Sequence, residues 1–104
     1  MTEHVATDRV VYTLEDPWPV GVLTGYVNEA GGFVLEHVIA FEPRILLKLV
    51  RAGLAYAWAQ GWRYVVFHVP SRHPQRDGLV AVGKRLGFDE YVPTFWLKRH
   101  KESA

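Results

Sequence analysis

The run EPRILLKLVRAGLAYAWAQGWRYVVFHVP, residues 42–70, decides how this chain folds. From Ile45 to Trp62 it has no proline and is rich in Leu and Ala. Leu46, Val50, Gly53/Leu54, Ala57/Trp58 and Gly61 recur at steps of three and four, the period of a helix with one buried face. Lys48, Arg51 and Gln60 fall largely off that stripe. Pro43 suits a first helical position, where its missing N–H would have had no partner. Gly61 is placed as a C-terminal cap with positive φ. The segment after it, Arg63 to Pro70, is β-branched, aromatic and apolar nearly throughout, which predicts a strand buried on both faces. A helix feeding such a strand through a tight turn is half of a β–α–β unit.

Working outward, Arg9–Leu14 reads as a short strand and Glu15-Asp16-Pro17-Trp18-Pro19 as a turn, since prolines cannot donate to a ladder. Val20–Asn28 and Phe33–Phe41 read as paired strands around the loop Asn28-Glu29-Ala30-Gly31-Gly32. Beyond the central unit, Ser71–Gln75 is a loop and Arg76–Leu86 a second helix, with Leu79, Val82 and Leu86 on its buried side. Gly87 caps that helix, and Phe88 is the hydrophobic contact that follows such a cap. Asp89–Lys98 alternates as one last strand, with Pro93 arguing for an edge position. The order β-β-β-α-β-α-β predicts one α+β domain over residues 1–104: a mixed twisted sheet of about six strands carrying two helices, with 1–8 and 99–104 frayed.

Composition narrows the function. Twelve Lys and Arg against 11 Asp and Glu leave a net charge of +1, which gives no case for nucleic-acid binding. Hydrophobic residues make up 49% of the chain, so it is globular. Without cysteine there is no disulfide, thiolate catalysis or Cys-type zinc site. The five histidines show no paired ligand spacing, so no metal site is expected. No apolar run approaches the ~18 residues of a membrane span, and Met1-Thr2-Glu3-His4 carries no signal-peptide pattern. A soluble cytoplasmic protein is the expectation. Trp18, Trp58, Trp62 and Trp96 with Tyr91 and Phe95 are candidates for an exposed aromatic surface through which a homodimer or larger assembly forms.

The order of elements, with Leu86-Gly87-Phe88 ahead of an acidic residue and the last strand, resembles the C-terminal three-quarters of the GNAT (Gcn5-related N-acetyltransferase) fold, from about Val10 to Lys98. The resemblance implies a wedge where strand Phe33–Phe41 parts from strand Arg63–Pro70, with acetyl-CoA lying along it. Val38 and Ala40 on the strand, and Arg44, Ile45 and Lys48 at the start of the following helix, are the cofactor-binding positions it implies. Glu36 or His37 is the implied base. Each is weighed against a half-exposed strand position making an ordinary satisfied contact. His68, at the carboxyl end of its strand where ligands of open sheets sit, reads more readily as a hydrogen-bonded rim residue. His73, with Arg72 and Arg76, reads as a solvated basic loop or a contact for the CoA 3′-phosphate.

The chain departs from the family pattern in three places. Phe41-Glu42-Pro43-Arg44-Ile45-Leu46 stands where the family has its glycine-rich helix start. Gly83 stands where the family places the Tyr that protonates the departing thiolate. The two helices that precede the family's second strand are expected to be missing. Some phage-encoded relatives are similarly stripped of the helix-start glycines and carry a comparable Arg-rich helix start; a phage origin would place the protein in a virion. Two functions follow: acetyl-CoA-dependent acyl transfer to an amine, or an inactive GNAT-fold module for interaction or assembly. The broken motifs favour the second.

Overall fold

The computed structural model describes residues 2–5, 9–15, 19–92 and 94–99. Its elements are β1 (Thr2–Val5), β2 (Arg9–Glu15), β3 (Pro19–Val27), β4 (Phe33–Ala40), α1 (Pro43–Ala59), β5 (Tyr64–His68), α2 (Arg76–Arg85), β6 (Asp89–Val92) and β7 (Phe95–Arg99). They form one mixed sheet in the order β1-β2-β3-β4-β5-β7-β6.

Helix α1 begins with proline in its first turn, as its sequence predicts. Ile45, Leu46, Leu49, Val50, Leu54 and Ala57 are its buried stripe. The helix approaches β3 and β4 closely at Gly53, where a Cβ would meet Leu35 Cδ2 at 2.8 Å. Both helices end on a glycine with φ of +83°. At α1, Gly61 N–H donates to the Trp58 carbonyl and Trp62 N–H to that of Ala57; at α2, Gly87 donates to Lys84 and Phe88 to Gly83. This double closure satisfies carbonyls that the helix itself leaves without partners. Phe88 is buried and packs its ring 5.4 Å from that of Phe67.

Three features differ from the sequence expectation. Thr2–Val5 is not frayed but pairs antiparallel with β2, Val5 opposite Val10 and Thr2 opposite Thr13. Its polar composition hides a strand because the partner's backbone, not a core, recruits it. Asp89–Lys98 is not one strand but a hairpin, with Val92 opposite Phe95. The apolar alternation is compatible with either arrangement, while the missing N–H of Pro93 disfavours an unbroken ladder; Pro93 itself, like Trp18 and residues 100–104, lies outside the described residues. The sheet therefore has seven strands where about six were expected.

The meander β1–β4 is antiparallel throughout, and β5, β7 and β6 form a second antiparallel group. A single parallel seam joins them: Phe33 opposite Val65, Val34 opposite Val66, and Leu35 opposite Phe67. Gly53 of α1 packs on Leu35, and Gly83 of α2 faces Phe67 and Trp96, so both helices cover the same side of the seam. Alternation places Val34, His37, Ile39, Val66 and His68 on the other side, which carries no helix among the described residues.

Candidate functional site

The seam ends abruptly because both of its strands turn aside. On β4 the register with β3 slips between Thr24 opposite His37 and Gly25 opposite Leu35, so Glu36 is an extra, bulged residue. A bulge bends its strand and breaks local pairing. On β5 the ladder stops at His68; Val69 turns its N–H to the Thr94 carbonyl at 2.7 Å, and Pro70 has none to offer. Beyond Leu35 and Phe67, β4 runs on to Ala40 paired with β3 on one edge but with no strand on its β5 edge, and a wedge opens.

The mouth of the wedge holds three titratable side chains. His37 Nε2 lies 3.1 Å from Glu36 Oε1, with Glu36 half-buried and His37 exposed. His68 stacks on Phe95, ring centroids 4.7 Å apart. Burial holds the His68 pKa below its usual value of 6.5; the nearby His37 acts in the same direction and Glu36 opposes both. His68 therefore belongs to this group through space, although 31 or more residues separate it in sequence from either partner. The strand position of Glu36 and His37 was legible as two polar residues in an apolar run; that one of them bulges was not.

The wall of the wedge is the free edge of β4. Val38 C=O and Ala40 N–H point into it, and both have partners from the loop after β5. His73 Nε2 donates to Val38 O at 2.9 Å, and Gln75 Oε1 accepts from Ala40 N–H at 3.0 Å. Gln75 N–H in turn donates to His73 Nδ1 at 2.9 Å, so Nδ1 is the accepting nitrogen of the ring and Nε2 the donating one. Arg76 braces the loop by donating to Val69 O at 2.9 Å. His73 is thus neither a solvated loop residue nor free for a phosphate; it is half-buried and bonded to β4. Sequence reading missed this contact and Gln75 altogether, because a side chain bonding to backbone 35 residues away leaves no periodic signal. A cleft of about 400 Å³, lined by Leu46 and by His73 to Gly78, lies beside these residues.

The floor near the start of α1 is less accommodating. Glu42 is the N-cap, and its carboxylate pairs with Arg44 rather than leaving that guanidinium for an anion. Ile45 N–H is spent on the Glu42 carbonyl at 3.0 Å, and its side chain is buried in the core. Lys48 is exposed one turn further on. Of the seven site positions that the resemblance implies, Glu36, His37, Val38 and Ala40 lie at the wedge or its mouth and Arg44 at the neighbouring helix start; His68 and His73, also singled out from sequence, join them. Ile45 and Lys48 contribute to it only through the helix.

At Gly83 a Cβ would stand in ordinary contact with the core, 3.6 Å from Trp96 and 3.7 Å from Phe67. Of the aromatic residues expected on the surface, Trp96 is buried and Trp58, Trp62 and Phe95 are half-buried. Among the described residues, the large apolar side chains that stand exposed are Val27, Ile39 and, at 82% exposure, Phe41. Among the described residues no cluster of three metal-ligating side chains occurs, and no helix is long and apolar enough to cross a membrane.

Solved structures of the same architecture exist. A protein from Desulfovibrio desulfuricans described as a GNAT-family acetyltransferase matches with a TM-score of 0.72 at 13% identity, over 88% of this chain and 69% of its own. One from Klebsiella pneumoniae described as an acyl-CoA N-acyltransferase matches with a TM-score of 0.72 at 16% identity, over 88% of this chain and 72% of its own. The aminoglycoside 6′-N-acetyltransferase of Enterococcus faecium matches with a TM-score of 0.70 at 10% identity, over 91% and 76%. No family model matches the chain, and no curated protein matches it by sequence. The chain has the fold of the GNAT acetyltransferases.

Proposed function

We propose that this is an N-acetyltransferase-related protein whose acyl-CoA seat is the wedge between β4 and β5. The observation that carries the reading is the parting of those two parallel strands at the Glu36 bulge, with an acid–base cluster at the mouth. The edge of β4 suits an amide-bearing chain: the partners that His73 and Gln75 supply are the donor and acceptor that one residue of a parallel neighbour would supply. When bound, an acyl-CoA brings a thioester carbonyl as the acyl donor. Glu36 is the base that takes the proton from the attacking amine, and His37, in contact with its carboxylate, tunes that step. Lys48, exposed one turn into α1, lends positive charge to an anion, and Arg44 adds to it as its pair with Glu42 opens. The α2 helix offers no hydroxyl at Gly83, so the departing sulfur draws its proton from the mouth of the wedge or from water. The cluster opens on the helix-free face, where a small amine or a peptide amine has access.

The test is melting with and without coenzyme A. At ~100 times Kd a ligand adds about 2.7 kcal/mol of stability, which for a domain of this size raises Tm by roughly 10 °C or more. No shift at millimolar acetyl-CoA rejects the reading.

A second reading, an inactive GNAT-fold interaction module, is favoured by the helix start, where Pro43 and the Glu42–Arg44 pair stand in the phosphate position. Such a module docks through exposed Ile39 and Phe41. Light scattering after size exclusion tests its homotypic form: a strict monomer at every concentration counts against self-assembly.

A further inference from the structure

We infer that the loop of residues 70–75 is a latch: His73 and Gln75 hold the free edge of β4 in place of a ligand, and an extended amide-bearing ligand enters only as both side chains leave. The identity of that ligand as an acyl-CoA rests on the function proposed above; the latch itself rests on geometry. Val38 O and Ala40 N–H flank Ile39 on one edge of β4, and in a parallel ladder a single facing residue would bond both. Among the described residues none does so. The ring N–H of His73 meets the carbonyl at 2.9 Å and the carboxamide oxygen of Gln75 meets the amide at 3.0 Å.

Local structure presets both side chains. His73 N–H donates to the Pro70 carbonyl and Arg76 N–H to that of His73, while the Gln75 carbonyl accepts the first bond of α2 from Leu79. The Gln75 amide fixes the imidazole tautomer, so the two latch groups are coupled through one backbone–ring contact. A ligand must therefore break a small network, and the loss of two neutral hydrogen bonds weakens its binding by about five- to a hundredfold. The adjoining cleft beside Leu46 gives the displaced side chains somewhere to go.

The experiment uses the full chain, the Gln75→Ala variant and the double variant His73→Ala/Gln75→Ala. Amide hydrogen exchange is read by NMR at Ala40, with Leu23 and Val65 as references for global stability, and each protein is titrated with coenzyme A. The latch predicts that Gln75→Ala quickens exchange at Ala40 by about fivefold or more relative to the references. It also predicts that the double variant binds coenzyme A about five- to a hundredfold more tightly than the unaltered chain. Unchanged relative exchange at Ala40 in Gln75→Ala overturns the latch whatever the ligand does. Where the unaltered chain binds coenzyme A, equal or weaker binding by a folded double variant overturns it as well. Quickened exchange with no coenzyme A binding by any of the three proteins upholds the latch and removes the acyl-CoA reading instead.

Discussion

One chemical change made at two glycines tests the backbone geometry in opposite directions. Gly61 has φ of +83° and nothing within 4 Å of where a Cβ would stand. Gly61→Ala therefore meets no clash; its whole effect is the left-handed backbone, which costs an L residue about 1–2 kcal/mol. Gly83 is inside α2, and its added Cβ would lie 3.6–3.7 Å from Trp96 and Phe67, an ordinary contact distance. Gly83→Ala gains helix propensity of about 0.8–1 kcal/mol and fills no space that another atom holds. The two variants should separate by about 2–3 kcal/mol, one below the parent and one above. Urea unfolding followed by far-UV circular dichroism reads both, with Gly61→Asn as a control that recovers part of the loss. A Gly61→Ala protein as stable as the parent would refute the αL cap. A destabilised Gly83→Ala would mean that α2 sits closer to β7 than described.

Glu36→Gln, which keeps shape and removes the base, should lower acetyl transfer to an amine by about 10²–10⁴-fold with coenzyme A binding intact, measured as thiol release. His68 has a folded pKa below 6.5, so the unfolded chain binds the proton first as pH falls. Its share of stability is complete above 6.5 and is lost as pH drops from there through the folded value. His68→Asn should accordingly flatten the decline in unfolding free energy between neutral and mildly acidic pH, and an unaltered slope counts against the burial of that ring. Phe41→Ser, at an 82% exposed side chain, should leave stability within about 0.5 kcal/mol of the parent while reducing any concentration-dependent association seen by light scattering.

The legible parts of the fold were those with a period or a cap. The helix over Pro43–Ala59 announced itself by its stripe, β5 by its β-branched run, and the two helix ends by Gly61 and Gly87, both of which take positive φ. The parallel neighbourhood of β4 and β5 followed from the crossover between them. The hairpin of β6 and β7 was hidden because alternation continues in sequence through a reversal of direction in space. Strand β1 was hidden because its polar residues gave no buried face to read. At the site, Glu36 and His37 could be named from sequence as polar residues in an apolar strand. The contacts of His73 and Gln75 could not, since they span 35 residues and depend on where two strands diverge.

The seam of Phe33–Leu35 against Val65–Phe67 is the only backbone ladder between the two halves of the sheet among the described residues. Mechanically it is a spine with two leaves, and α1 is the strap across it. Pulled apart at its termini, such a protein should yield first along that spine, each leaf keeping its own hairpins for a moment longer. Severed at the exposed Gln60-Gly61 corner, the chain would present two pieces with complementary edges, a natural pair for reassembly from separate polypeptides.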